Sequence, residues 1–241
     1  MMQIKYRYFL FFYFIAAMGI LYAEVYEADL VYKICKPLLC LLLAAYFYLN
    51  TKMQTLFERF IIYGLGFSFL GDVLLMFQSE AEWYFILGLG AFLITHFMYL
   101  KAFLYLTSIP SGYLAKNKWL IYFCFIFFLV NVFFYWPHLP KGMGIPVVCY
   151  CFAICLMLMG CIHSYGSIPG HKWRLIFIGV LLFIVSNSLI ALTKFVSIDM
   201  VYNGLWIMLT YMLSQLLITY GSLKATKYCR YEAQDSISSK F

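Results

Sequence analysis

Long apolar runs alternate with short polar stretches along almost the whole chain. Eight runs stand out, near residues 8–23, 30–49, 57–77, 83–106, 118–136, 145–165, 173–197 and 200–223. A helix needs about 20 mostly apolar residues to cross a hydrocarbon core of roughly 30 Å, and the runs cluster around that length. No period-two alternation broken by regular turn signals is present, which argues against a β-barrel. The linkers are short, so consecutive helices should pack antiparallel. The pattern predicts an all-α integral membrane protein, a compact bundle of eight transmembrane helices forming one domain over residues 1–223. A polar tail follows from 224 to 241, and its end, Asp235 to Lys240, reads as disordered. There is no internal repeat and no composition break.

Composition agrees with the pattern. Apolar residue types make up 65% of the chain and charged ones only 11%, against roughly 25% charged in a soluble domain. That excludes a disordered chain, a coiled coil and a basic nucleic-acid binder, each of which needs abundant charge. The basic residues sort by loop. Lys5, Arg7, Lys52, Arg59, Lys116, Lys118, Lys172, Arg174, Lys224, Lys227, Arg230 and Lys240 fall on one side of the predicted bundle, twelve of the 17 in the chain. The opposite loops hold Lys141 with Glu24, Glu27, Glu80 and Glu82. By the positive-inside rule both termini are cytoplasmic. The net charge of +7 is then a collar facing anionic lipid; a cell's inner or plasma membrane is the expected location, and an organelle membrane would show the same pattern. The first run follows Lys5 and Arg7 but has no small-x-small cleavage site before Glu24, so it reads as a retained span rather than a signal peptide. Among eight cysteines, Cys149, Cys151, Cys155 and Cys161 share the sixth span, yet no CxxC pair exists. They read as reduced packing residues, with no zinc site or disulfide framework.

Polar residues inside the spans are few. A charge at membrane depth costs at least about 2.5–3.5 kcal/mol on insertion scales, so it faces a cavity or a partner. Asp72 is the one acidic residue well inside a span, where Gly64, Ser68 and Asp72, spaced by four, share a helical face. Small residues there allow a close approach. Lys36, just before Pro37 in the second span, is either an ion-pair partner of Asp72 or part of a binding site. His96 sits mid-span with Tyr99 and Phe103 on its stripe and reads equally as a packing residue or a functional one. The seventh span carries Ser186-Asn187-Ser188, with Ala191 and Lys194 continuing the Asn187 face. The eighth has Tyr211, Gln215, Thr219 and Ser222 on one stripe, the last two read as interhelical hydrogen-bond glue. Together these polar positions predict one shared cavity lined by Asp72, Lys36, His96, Asn187, Tyr211 and Gln215. No G-x-S-x-G elbow, H-E-x-x-H, phosphate-binding loop or dinucleotide fingerprint occurs; Gly88-Leu-Gly90 is helix packing, and His163 and His171 sit near the interface.

Taken in order, the polar segments resemble the lysoplasmalogenase-like YhhN family of multispanning membrane proteins. The matching stretches are Lys36-Pro37, Gly64-Leu-Gly-Phe-Ser68-Phe-Leu-Gly71-Asp72-Val-Leu-Leu and Gly90-Ala-Phe-Leu-Ile-Thr-His96-Phe-Met-Tyr99. They continue with Pro146 to Tyr150, Gly179-Val-Leu-Leu-Phe-Ile-Val-Ser186-Asn187-Ser-Leu, and Tyr211-Met-Leu-Ser-Gln215-Leu-Leu-Ile. The resemblance implies about eight helices and cleavage of the vinyl ether bond of lysoplasmalogens, giving a fatty aldehyde and glycerophosphocholine or glycerophosphoethanolamine. It implies catalytic roles for Asp72 and position 187, and substrate binding by Lys36, His96, Tyr99, Tyr211 and Gln215; Lys194, on the Asn187 face, reads either as a further contact to the phosphate or as a residue snorkelling to the interface. The family's motif reads Ser-Asp where this chain has Ser186-Asn187. Carboxamide and carboxylate are nearly isosteric, but Asn cannot accept a proton as a general base. The fold is expected to survive the change, and the activity to be impaired or lost.

Vinyl ether hydrolysis explains the two carboxyl groups. Protonation of the β-carbon creates an oxocarbenium ion; water adds, and the hemiacetal collapses to aldehyde and alcohol. One group donates the proton, another orients or deprotonates water, and a carboxylate stabilises the cation. The scheme requires no metal and no cofactor. Two further readings stand beside it: a non-enzymatic protein that binds, senses or transports lysophospholipids through the same cavity, and a purely structural bundle. The expected partners are lysoplasmalogen or another lysophospholipid and membrane lipid, with no nucleic acid; the oligomeric state is left open.

Overall fold

The computed structural model describes residues 7–107, 112–198 and 201–238, with side chains described as far as 226. Lys5 and Lys240, counted above, lie outside the described residues, as do the side chains of Lys227 and Arg230. The described chain forms α1 (Tyr8–Tyr26), α2 (Asp29–Thr51), α3 (Leu56–Met76), α4 (Glu82–Tyr105), the short α5 (Tyr113–Lys116), α6 (Trp119–Tyr135), α7 (Gly144–His163), α8 (Gly170–Ala191) and α9 (Asn203–Ser238). Eight helices are long and apolar enough to cross a membrane, all but α5, and they correspond one to one with the eight apolar runs. A π-helical turn, Leu192–Val196, extends α8. α9 does not stop near residue 223 but continues to Ser238, so the stretch from Asp235, expected to be disordered, is helical that far.

Local chemistry sets the helix starts that matter. Thr55 and Glu58 form a capping box: the Thr55 hydroxyl accepts from the Glu58 amide at 3.3 Å, and the Glu58 carboxylate accepts from the Thr55 amide at 3.4 Å and the Gln54 amide at 2.7 Å. This anchors the start of α3 and fixes the register of its polar face. The small residues on that face then let α4 close in. A Cβ on Gly64 would lie 2.3 Å from the Tyr99 ring, and one on Gly71 2.7 Å from the Phe92 ring.

α3 packs closely on α4, and α8 on α9, with α1 and α2 as a third hairpin and α7 against α4. Where α8 meets α9, a Cβ on Gly179 would lie 2.9 Å from the Ile218 backbone nitrogen. Thr219 and Ser222 of α9, expected to bond across helices, are buried with hydroxyls that have no hydrogen-bond partner. α6 is the exception to the tight packing. Of its 17 residues only Cys124 and Tyr135 are buried, and its main neighbour is α7.

Candidate active site

Asp72 lies one turn before the end of α3 and is 2% exposed. Its Oδ2 accepts the Tyr211 hydroxyl of α9 at 2.6 Å and the Cys40 thiol of α2 at 3.6 Å, and those two groups are themselves 3.2 Å apart. Both donors therefore converge on one carboxyl oxygen. Oδ1 is left for the cavity that Asp72 lines. Two donors on Oδ2 suit a carboxylate, or a carboxylic acid whose proton sits on Oδ1.

The cavity has a volume of about 300 Å³. Lys36, Asp72, Asn187, Lys194 and Tyr211 line it, together with Ser186, Thr193 and Glu24. Its charged rim is drawn from the last turn of α1, the first turns of α2 and the π-helical turn after α8, the end of the bundle away from Arg7. Lys36 is buried, and its ammonium donates to the Tyr32 hydroxyl at 2.9 Å while sitting 5.0 Å from that ring's centre. Lys36 and Asp72 share the cavity and attract each other across it, but no direct salt-bridge contact joins them. Lys194, more exposed, lies over the Phe85 ring at 4.9 Å. The Lys36 ammonium feels the attraction of Asp72 and Glu24 but touches neither, and buried charges held apart in this way are costly in a bilayer unless a polar ligand meets them.

Asn187 sits between two unlike groups. Its Oδ1 accepts the Tyr150 hydroxyl at 2.5 Å, and its Nδ2 donates to the Phe183 carbonyl at 2.7 Å. One donor and one acceptor match an amide or a protonated carboxyl. A carboxylate in the same rotamer would set its second oxygen against the Phe183 carbonyl.

Behind the cavity lies a polar chain that does not line it. Tyr99 donates to Gln215 Oε1 at 2.7 Å, Gln215 donates to Ser68 at 3.0 Å, and Ser68 donates to Thr95 at 3.2 Å. The Thr95 hydroxyl donates to the Gly64 and Ala91 carbonyls at 3.2 and 3.3 Å. These bonds tie α3, α4 and α9 into one rigid support beneath Asp72. His96 is fully buried beside them, its ring 5.0 Å from Phe183 and 5.1 Å from Tyr150, with both nitrogens unpartnered. It lines neither the polar cavity nor the apolar crevice next to it.

The YhhN family model matches residues 31–222, which hold every residue of this arrangement except Glu24. The chain belongs to the YhhN family. Within it, the chain is 29% identical over 166 residues to proteins named lysoplasmalogenase from Mycobacterium bovis and Mycobacterium tuberculosis, covering 68% of this chain and 60% of theirs. It is 30% identical over 171 residues to the Bos taurus protein named lysoplasmalogenase TMEM86A, covering 68% of this chain and 65% of that one. The match thus spans less than two thirds of each relative's length. No solved structure matches the chain.

For this YhhN member the structure brings Lys36, Asp72, Asn187, Lys194 and Tyr211 to one cavity and sets His96, Tyr99 and Gln215 a layer behind it. Sequence reading passed over Glu24, Tyr32, Cys40 and Tyr150. Glu24 was assigned to a loop because it ends an apolar run, yet it is inside α1. Tyr32 does fall one turn before Lys36, a spacing that would have flagged it. Cys40 gave no signal, and Tyr150 gave none beyond closing the matching stretch from Pro146, since both types are ordinary within an apolar span.

Proposed function

We propose that this protein is a multi-pass membrane hydrolase that cleaves the vinyl ether bond of lysoplasmalogens, releasing a fatty aldehyde and glycerophosphocholine or glycerophosphoethanolamine. The observation that carries the reading is Asp72, a carboxyl group with one oxygen doubly hydrogen-bonded and the other left to a polar cavity. Family membership and the names of the relatives support it. Both termini are read as cytoplasmic, which sets the cavity in the non-cytoplasmic half.

In the reaction a proton moves to the β-carbon of the vinyl ether, and positive charge spreads over the α-carbon and ether oxygen. Water adds to the α-carbon and loses a proton, and the hemiacetal breaks its bond to the glycerol oxygen. Position 187 pairs one donor with one acceptor, so a carboxyl group there would hold the proton that the first step needs. Asp72 would stabilise the cation and take the proton from water. Asn187 has no such proton to give. In this chain Asp72 serves both steps in turn, and turnover is slow. Lys36 faces the phosphate, and the rigid layer of Tyr99 and Gln215 holds Asp72 in place.

The test incubates purified protein with choline and ethanolamine lysoplasmalogens and follows aldehyde release, with Asn187→Asp in parallel. The substitution should raise the rate at least about tenfold, since a positioned acid or base contributes about 10²–10⁴-fold. If neither form releases aldehyde from either lipid, the hydrolase reading is lost. Asn187 itself favours the second reading, a non-hydrolytic protein that binds, senses or transports lysophospholipids. On that reading the lipid raises the melting temperature and is recovered intact.

A further inference from the structure

An apolar crevice adjoins the polar cavity, walled by α4, α6, α7 and α8, with Phe127 and Phe128 on one side and Ile154 and Ile184 among those opposite. The two spaces meet at Asn187, Leu75, Phe92 and Ile190, which line both. A molecule with a polar head in the cavity can therefore extend an apolar part past Asn187 and into the crevice.

The outer wall is α6, the least embedded of the long helices. Two hydrogen bonds pin it: the Cys155 thiol of α7 donates to the Cys124 carbonyl at 3.1 Å, and the Tyr135 hydroxyl donates to the Ser188 carbonyl of α8 at 3.3 Å. Phe123, Phe125, Ile126 and Phe133 point outward. Lipid tails are as apolar as these side chains, so no hydrophobic force holds such a helix against its neighbours. The crevice is narrow, about 60 Å³ as it stands, room for a short piece of one chain and never for two.

Resting on the hydrolase or lipid-binding reading of the cavity, we propose that this crevice takes the single hydrocarbon chain of a lysophospholipid. The chain's far end runs out between α6 and α8 into the bilayer. The lipid slides in sideways through that slot, its chain never leaving hydrocarbon, and the Tyr135–Ser188 bond gives way as α6 shifts. Single-chain selectivity follows from the width of the slot, not from the head group.

The test uses purified full-length protein in nanodiscs with lysophosphatidylcholine carrying a mid-chain diazirine. This probe holds an ester in place of the vinyl ether, so labelling requires no turnover. Photolysis and peptide mapping should place adducts on Phe127, Phe128 or Ile154, and excess unlabelled lysophosphatidylcholine should compete them away. Ile154→Trp fills the crevice and should lower those adducts about tenfold, equivalent to about 1.4 kcal/mol. Asn131→Phe does the same from the α6 side if the tryptophan variant fails to fold. A two-chain phosphatidylcholine with the same diazirine should label lipid-facing side chains, the outward face of α6 among them, and leave the crevice unlabelled.

Adducts confined to Phe123, Phe125 and Phe133, adducts that survive both crevice-filling variants, or equal crevice labelling by the two-chain probe would each overturn the proposal. Its failure is separable from that of the hydrolase reading. Crevice labelling without aldehyde release keeps the chain site and removes the hydrolase. Aldehyde release with labelling only outside does the reverse.

Discussion

The Tyr211 hydroxyl of α9 donates to Oδ2 of Asp72 on α3 at 2.6 Å, a bond that joins residues 139 positions apart. With the Cys40 thiol on the same oxygen, it decides which face of the carboxyl group meets the cavity. Removing the phenol leaves Asp72 free to rotate and to offer either oxygen. Tyr211→Phe, made in the Asn187→Asp background, should cut aldehyde release about tenfold or more, in line with what an orienting donor contributes. The lysolipid affinity should change less than the rate. A rate that stays the same would show that Tyr211 only packs.

Lys36 and Lys194 both reach the cavity, but from different settings. Lys36 is buried and bound only to the neutral Tyr32 hydroxyl, so a phosphate would give it a charge-assisted bond worth about 1.5–3 kcal/mol. Lys194 is exposed and already rests on Phe85. Lys36→Met should weaken lysophosphatidylcholine binding about tenfold or more, and Lys194→Met by clearly less. Thermal-shift titration of each variant measures this. Equal affinities across both variants would place the head group away from this rim.

The Tyr99–Gln215–Ser68–Thr95 chain is closed, each member donating to the next. Gln215→Leu strands the Tyr99 hydroxyl and takes a donor from Ser68. Hydrogen bonds between membrane helices average about 0.6 kcal/mol and reach about 1.7, so the loss of two should cost about 1–2 kcal/mol. The melting temperature in detergent should fall measurably. Ser68→Ala also removes two bonds of the chain, those with Gln215 and Thr95, and should lower it by a similar amount.

The apolar runs located every membrane helix because hydrocarbon thickness sets helix length, and that rule needs no tertiary information. The same rule has little to say about α5, too short to span, or about α9 beyond residue 223, where polar sequence still winds as helix. The site was legible in part. Asp72 and Lys36 announced themselves by their cost in a bilayer, and Asn187 by its place in the ordered motif. Which polar residues touch the cavity and which stand behind it depends on helix rotation and on the close approach at Gly64 and Gly71. An apolar sequence does not encode that rotation visibly. Tyr150 shows the limit most clearly. One tyrosine among 22, it becomes specific only when α7 sets its hydroxyl against Asn187.

Topology is open to a direct measurement. Twelve of 17 basic residues lie on one predicted side, so a tag at either terminus should be reached only from the cytoplasm, and a cysteine probe at Gln78 only from the other face. A C-terminal tag accessible from outside in intact cells would reverse the bundle and move the polar rim to the cytoplasmic side.

The contact between Gly64 and the ring of Tyr99 sets the order in which this protein can change over generations. Any side chain at 64 would occupy space that the ring now fills, and overpacking of this kind costs about 1–3 kcal/mol. A smaller residue at 99 instead opens a void and releases Gln215 from its partner. Neither step is free alone, but the cavity left by the second makes room for the first. Descendants that carry alanine or serine at 64 should therefore be found with a reduced residue at 99, and the reduction should be the older of the two events.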